Sequence, residues 1–252
     1  MKSGGIEIPE IIRPEKGLIG RLEGIGSATA SGELAKLGIR NSHMIGPLPR
    51  LEGASIVGPA VTLHFLPKRE DLHKHGEYTN PEEQLHRHAL YQTQPGDIVV
   101  VDARGDMSSG IFGDMMLTFF KGRGGAGVIV DGCIRDYPKV KELELPLWTR
   151  GFTPNFHVQT NIWPVAVNCP IACGGCLVVP GDIIIADDDG AVVVPIGLAE
   201  KVAELAGEHA EWEVFSRERL LSGGDLRKYY PLKEEARAEY EEWKKKHGCS
   251  KP

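Results

Sequence analysis

The sequence predicts an α/β fold, on three observations. Residues 126–130 (AGVIV) are an apolar, β-branched run bounded by glycine and closed by Asp131, as in a buried strand. Residues 111–121 place apolar side chains at helical spacing behind Gly113 and Asp114, so a helix is expected to open there. A Gly-rich turn, 122–127, joins the two and completes half of an α/β unit. Such folds gather their chemistry beyond the carboxyl ends of strands and at helix N-termini. Arg135-Asp136 occupies the first kind of place and Asp114 the second.

The other elements follow in chain order. Residues 1–20 are punctuated by Pro and Gly and read as an arm. Residues 27–37 offer Ser and Thr caps to a short helix that Gly38 ends. Residues 56–65 are strand-like, and 81–91 read as a helix within a polar, His-rich segment. Pro95-Gly96-Asp97 is a turn into a buried strand, 98–101, that ends at Asp102. Strands are also expected at 145–149 and 162–167. Within 176–195, two turns, Pro180-Gly181-Asp182 and the acidic run ending at Gly190, suggest three strands in a meander. Residues 198–221 form a long, glutamate-rich helix stopped by Gly223-Gly224. From Leu232 a last helix carries Leu232, Ala236, Tyr240 and Trp243 on one face, expected to lie on a neighbouring element rather than to build the core. The chain reads as a single domain over 1–252: a core at about 25–220, an N-terminal arm at 1–24 and a C-terminal helical extension at 222–252.

Composition limits the function. The 252 residues are 41% hydrophobic, enough for a sizeable core. A net charge of -6 disfavours a broad nucleic-acid surface. No run is long enough to span a membrane, and the first residues lack the apolar stretch of a signal peptide, so a cytoplasmic protein is expected.

Several motifs have bland readings that outweigh the sharp ones. Cys169, Cys173 and Cys176 have a spacing that can hold an iron–sulfur cluster, yet their segment reads as two strands and a turn, where cysteine is a small apolar residue. The run Asp187-Asp188-Asp189-Gly190 is a hairpin signal and lacks the spaced ligands of a calcium loop. His64, His73, His75, His86 and His88 crowd one region without an acid motif such as H-E-x-x-H. Cys133 has no histidine in its motif, and no G-x-S-x-G or phosphate-loop motif is present. The pair Arg135-Asp136 could simply brace a corner. What lifts it is the pattern: an acid at a helix start, twenty intervening residues, then Arg-Asp after a buried strand.

That pattern, Asp114-x20-Arg135-Asp136, is preceded by GDIVVVDARGD and encloses GAGVIVDGCIRD; with VGPAVT, RGFTP and PGDIIIADDDGAVVVP it resembles the RraA-like family. The family includes class II 4-hydroxy-4-methyl-2-oxoglutarate aldolases and regulators of ribonuclease activity. The resemblance covers about residues 25–220 by motif order. It implies a compact layered α/β sandwich with a swivelling β/β/α-type core, assembled as a homotrimer or a dimer of trimers with the site at a subunit interface. It implies a lyase that takes a small 2-oxo acid and binds a divalent cation (Mg²⁺ or Mn²⁺); charge and hydropathy add the expectation of neither a nucleic-acid nor a membrane partner. In that picture Asp136 binds the metal, partly through water, Arg135 pairs with the keto acid, and Asp114 orients or deprotonates water. Backbone amides at Gly113, Asp114, Met115 and Met116 hold the substrate carboxylate. A glutamate of a neighbouring subunit, among Glu204, Glu208, Glu211 and Glu213, reaches the metal waters.

The chemistry agrees: a carbon–carbon cleavage beside a ketone leaves an enolate, which needs a Lewis acid, a fixed cation or a Schiff-base lysine. No lysine lies within the D-x20-R-D motif apart from Lys121 at the end of its helix, which disfavours the Schiff-base route. Aldolases of the family often carry an acid three residues after the metal aspartate; here Lys139 stands there, with Glu142 a turn later. Regulator-type members tend to lose the metal aspartate, whereas this chain keeps Asp136, which favours an enzyme. The alternative is a non-catalytic regulator binding a ribonuclease or another protein. A quinone-biosynthesis methyltransferase has no support, because no Gly-rich loop is followed by a ribose-binding acid.

Overall fold

The computed structural model describes residues 7–73, 81–156 and 160–247. His75 and Cys249 lie outside the described residues.

Four strands form a parallel centre: β2 (Ile56–Pro67), β3 (Ile98–Gly110), β4 (Gly127–Ile134) and β5 (Leu147–Phe152). The helices α3 (Leu85–Tyr91), α4 (Asp114–Gly122) and α5 (Tyr137–Glu142) connect them in turn. On one side β1 (Leu48–Pro49) pairs with β5; on the other β9 (Ile183–Asp187) pairs antiparallel with β2 and carries β10 (Gly190–Val194). β6 (Ile162–Val167) also pairs with β2.

Side-chain alternation along these strands sorts the interior into layers. Val99, Val101, Val128, Val130 and Leu147 face α3, α4 and α5, where Leu90, Leu117, Phe120 and Val140 meet them. Ile98, Val100, Ile129 and Trp148 face the other way, onto Ile184, Ala186, Ala191 and Val193. The opposite face of β9 and β10 presents Ile183, Ile185, Val192 and Val194 to Leu22, Leu34, Val202 and Ala206 of helices α1 (Lys16–Leu22), α2 (Ser27–Lys36) and α6 (Ala199–Leu221). The result is an α/β/β/α sandwich, as the layered expectation required. Each buried Val, Leu or Ile among them contributes roughly 1.5–3 kcal/mol through burial. Beyond it, α7 (Leu226–Tyr229) and α8 (Glu234–His247) close an aromatic cluster of Phe215, Tyr229 and Tyr240 with the second half of α6.

Four expectations need correction. The arm is partly helical, because Leu18 and Leu22 anchor α1 against α6 and the β9–β10 ribbon. The start of α2 is not capped by its own Ser and Thr; the Asp187 carboxylate accepts from the Ser27 amide (2.7 Å) and hydroxyl (2.6 Å). Strands β3 and β4 run past Asp102 and Asp131, because irregular pairing continues to Gly110 opposite Cys133. The meander is absent: β8 (Cys176–Val178) pairs with β7 (Ile171–Cys173) in a separate hairpin, and only β9 and β10 pair across the acidic turn.

That hairpin has a clear task. His64, Asp102, Asp131 and Arg150 form a charged row across the carboxyl ends of the parallel strands. Asp102 holds His64 Nδ1 at 3.0 Å, and Asp131 is ion-paired with Arg150. The amides of Ala172 (3.4 Å) and Gly174 (3.1 Å) donate to the two buried carboxylates. The hairpin therefore covers the crevice directly above these strands, and buried charge is compensated there rather than offered to a ligand.

No described helix is long and apolar enough to cross a membrane.

Candidate active site

Beyond the charged row, β3 and β4 continue side by side and build the corner that carries Asp114, Arg135 and Asp136. The Ile111 amide donates to the Cys133 carbonyl (3.0 Å), and the Arg135 amide donates to the Phe112 carbonyl (3.0 Å). The Gly110 amide donates to the Asn155 carbonyl (2.9 Å), which draws the loop after β5 onto the same corner. Close approach requires glycine at two positions. A methyl on Gly110 would meet the Asn155 carbonyl at 2.5 Å and Arg135 Cβ at 2.9 Å. A methyl on Gly113 would meet Asp136 Oδ2 at 2.7 Å and Arg135 Nε at 3.0 Å.

Gly113 is extended and caps α4, whose first helical residue is Asp114. Helix geometry leaves the amides of Asp114, Met115 and Met116 without intrahelical partners, and they carry the positive end of the helix dipole. The Met115 and Met116 side chains line a groove of about 290 Å³ with Arg87, Leu90, Tyr91 and Phe119. Asp136 sits in the left-handed region (φ 59°) just before α5, a conformation aspartate tolerates better than most residues and one often kept at functional sites. Its Oδ2 lies 3.2 Å from Arg135 Nε, and both side chains are about one-third exposed. Arg135 also lies 5.9 Å over the Phe156 ring. From α5, the Lys139 ammonium reaches to 3.7 Å from Asp114 Oδ2. Tyr137 stacks on Phe152 with ring centroids 3.7 Å apart and fixes the start of α5.

The structure thus brings Gly113, Asp114, Met115, Met116, Arg135 and Asp136 to one corner. Two carboxylates, a forked guanidinium and free helix-start amides can hold a hydrated cation and an anionic ligand together. Among the described residues no group of three or more His, Cys, Asp or Glu side chains is placed to hold a metal ion. Hard dications retain several waters and need only one or two protein carboxylates, so Asp136 fits such an ion without a full protein cage.

Sequence reasoning missed Asn155, Phe156 and the Lys139–Asp114 pairing, because long-range apposition leaves no short-range motif. The glutamates of α6 are engaged elsewhere within the chain: Glu204 with Lys201 (2.8 Å), Glu211 with Lys244 (2.9 Å) and Glu213 with His209 (3.2 Å). Glu208 lines a cavity against α8.

The bland readings of the other motifs agree with the geometry. His73 stacks on Trp163 and His88 Nε2 sits 2.6 Å from the Glu82 carbonyl, so with His64 on Asp102 they do not converge. Burial raises the Cys133 thiol, with Asp106 adding to it, and burial raises Cys173 far above its ordinary value. Cys176 is pushed up to about 11 by burial alone. Such thiols are poor nucleophiles. Asp106 moves the other way. Burial raises it, but hydrogen bonds from Ser109 and Ser108 outweigh burial and lower its carboxyl overall.

A family model described as RraA-like, Aldolase/RraA, matches residues 27–193. A Halalkalibacterium halodurans protein provisionally named 4-hydroxy-4-methyl-2-oxoglutarate aldolase is 41% identical over 134 residues, which are 53% of this chain and 62% of that protein. The chain thus spans less than two thirds of that relative's length. A solved structure of Streptomyces coelicolor RraAS2, described as an unusual member of the RNase ES inhibitor RraA protein family, is 44% identical. It superposes with a TM-score of 0.74 over 83% of this chain and 99% of that one. A Pseudomonas syringae pv. tomato protein of uncharacterised function superposes with a TM-score of 0.76 at 25% identity, over 91% of this chain and 100% of its own. With the model matching the span from α2 to β10, sheet, hairpin and Asp114–Arg135–Asp136 corner included, the chain belongs to the RraA-like family.

Proposed function

We propose that the protein is a divalent-metal-dependent lyase. It cleaves a 4-hydroxy-2-oxo acid, such as 4-hydroxy-4-methyl-2-oxoglutarate, to pyruvate and a second carbonyl compound. The observation that carries this reading is the close packing of Arg135 and Asp136 against a side-chain-free Gly113 at the start of α4. The name of the 41% identical relative supports it.

The amides of Asp114, Met115 and Met116 hold the substrate carboxylate, where the helix dipole favours negative charge. Breaking the bond between C3 and C4 removes the proton of the 4-hydroxyl and leaves an electron pair on C3, delocalised onto the ketone oxygen as an enolate. Arg135 directs its forked donors at that oxygen and remains charged throughout. Asp114 orients or deprotonates the water that takes up the hydroxyl proton and returns a proton to C3, completing pyruvate. Asp136 would hold Mg²⁺ or Mn²⁺, partly through water, and the ion would supply Lewis-acid stabilisation of the enolate oxygen when bound. Oxaloacetate decarboxylation passes through the same pyruvate enolate and belongs to the reading as a side activity. So does a trimeric or hexameric assembly in which a partner's glutamate approaches Asp136.

The test is pyruvate release from a panel of 4-hydroxy-2-oxo acids and oxaloacetate, with Mg²⁺ and after chelation. Release that vanishes with chelator and returns with Mg²⁺ is expected; no metal-dependent release from any substrate refutes the lyase.

A second reading is a non-catalytic regulator that binds a ribonuclease, and the description of the 44% identical Streptomyces structure supports it. Capture of a ribonuclease by both wild type and Arg135→Ala, without pyruvate release by wild type, would favour it.

A further inference from the structure

We propose that the cavity between α2, α6 and α8 is a binding site for a small organic dication, an aliphatic diamine. None of Asp114, Arg135 and Asp136 lines it, and the assignment does not rest on the lyase reading.

The cavity has a volume of about 430 Å³, within the range of small-molecule sites. Its wall is drawn from α2, α6, α8 and the segment that leads into α8. Leu205, Trp212, Pro231 and Leu232 supply the apolar part. The Trp212 ring is held flat against His209, with centroids 4.4 Å apart and planes 16° apart. A short chain of methylenes can bury itself on such a wall.

A buried carboxylate forms the floor. The Glu33 side chain is 3% exposed, yet it lines the cavity. His209 Nδ1 (2.7 Å) and the Lys36 ammonium (2.6 Å) both meet its Oε1. No described group donates to Oε2. Burial raises the Glu33 carboxyl, but hydrogen bonds from His209 and Lys36 outweigh burial and lower it overall, so the group is an anion at neutral pH. A buried carboxylate oxygen without a donor is unfavourable, and a charged donor within the cavity relieves it.

The pairing of the other charges fixes the sign of the ligand. Lys36, Arg237 and Lys244 are the lysine and arginine side chains of the lining. Each is already paired: Lys36 with Glu33, Arg237 with Glu234 (2.9 Å) and Lys244 with Glu211 (2.9 Å). His209 Nε2 faces Glu213 at 3.2 Å. Glu208 and Glu241 also line the cavity, are exposed, and form no ion pair with any described residue. The charges left over are therefore all negative, one at the floor and two at the rim. A diamine sets one ammonium on Glu33 Oε2 and the other at Glu208 and Glu241, with three donors at each end. A monoamine satisfies one end only.

Calorimetric titration of the full chain with 1,4-diaminobutane tests the site, beside n-butylamine, which carries a single ammonium. One saturable site per chain is expected for the diamine, with n-butylamine about tenfold weaker, the scale of one charge-assisted hydrogen bond. Glu33→Gln is expected to weaken the diamine by at least about tenfold. A change at a buried carboxylate can disturb folding, so the exposed double variant Glu208→Gln/Glu241→Gln is the second measure. It is expected to bring the diamine down to the affinity of n-butylamine. Asp136→Ala is expected to bind the diamine as wild type does. Absence of saturable binding, equal affinity for the two amines, or unchanged affinity in the double variant or in a folded Glu33→Gln overturns the inference. Loss of binding in Asp136→Ala also overturns it, because the amine would then sit at the corner. Absent pyruvate release would refute the lyase and leave every one of these outcomes unaltered.

Discussion

Gly113 stands where a methyl group would lie 2.7 Å from Asp136 Oδ2. Its φ of -107° suits any L-residue, so the requirement for glycine is one of space at the corner and not of backbone conformation. Gly113→Ala is therefore expected to fold normally but to push Asp136 and Arg135 apart. Pyruvate release should fall about 100-fold, the usual penalty for a misplacement near 1 Å. Steady-state kinetics beside a thermal unfolding curve checks it, and near-wild-type turnover would show that the close approach is incidental.

Arg135→Ala and Asp136→Ala remove side chains that are about one-third exposed and paired with each other. Arg135→Ala should change stability by no more than about 0.5 kcal/mol, because exposed pairs contribute little, whereas Asp136→Ala should cost about 1 kcal/mol, because alanine tolerates the left-handed backbone at φ 59° less well than aspartate. Turnover should be abolished in each, with the assembly intact by light scattering. Full activity in either variant would refute the assigned roles.

Buried thiols supply a test of the interior. Cys133, Cys173 and Cys176 are all raised by burial, the last to about 11, so little thiolate forms at pH 8. These three should resist iodoacetamide in the native protein and react only after denaturation, as peptide mapping would report. Rapid native labelling of Cys173 would contradict the packing of the β7–β8 hairpin.

Asp106 sets a pH dependence. Its carboxylate accepts from the amides of Ser108 (2.8 Å) and Ser109 (2.7 Å), and its folded pKa is lowered despite burial. A lowered carboxylate adds stability that is complete above its unfolded value, about 3.9, and is lost as pH falls through the folded value. Asp106→Asn should thus be less stable than wild type at pH 7, with the gap closing below about pH 4. Urea unfolding at both pH values measures it; a gap that widens in acid would reverse the sign.

Much of the architecture is legible in the sequence where one physical rule dominates. Residues 98–101 and 128–130 are uninterrupted β-branched runs, and burial on both faces demands nothing else. The continuation of β3 through DARGDMSSG is not legible, because it contains charges, two glycines and no alternation; only register-shifted pairing with β4 makes it a strand. The cap of α2 is equally hidden, since Asp187 lies 160 residues away from Ser27. The family motif makes Asp114, Arg135 and Asp136 visible together, whereas Lys139 appears in sequence only as a departure from the family pattern. Its reach to Asp114 depends on how α4 and α5 lie side by side, which spacing does not encode.

Helix α6 is one rod serving two interiors. Val202, Ala203 and Ala206 near its start belong with the β9–β10 ribbon, while Phe215 near its end belongs with Tyr229 and Tyr240. The chain's four tryptophans divide along the same line: Trp148 and Trp163 lie in the strands, and Trp212 and Trp243 flank the distal aromatic cluster. Intrinsic emission is therefore a built-in two-channel reporter. Removal of everything after Leu221 would silence only Trp243, leave Phe215 bare to solvent, and turn the free end of the rod into a sticky surface.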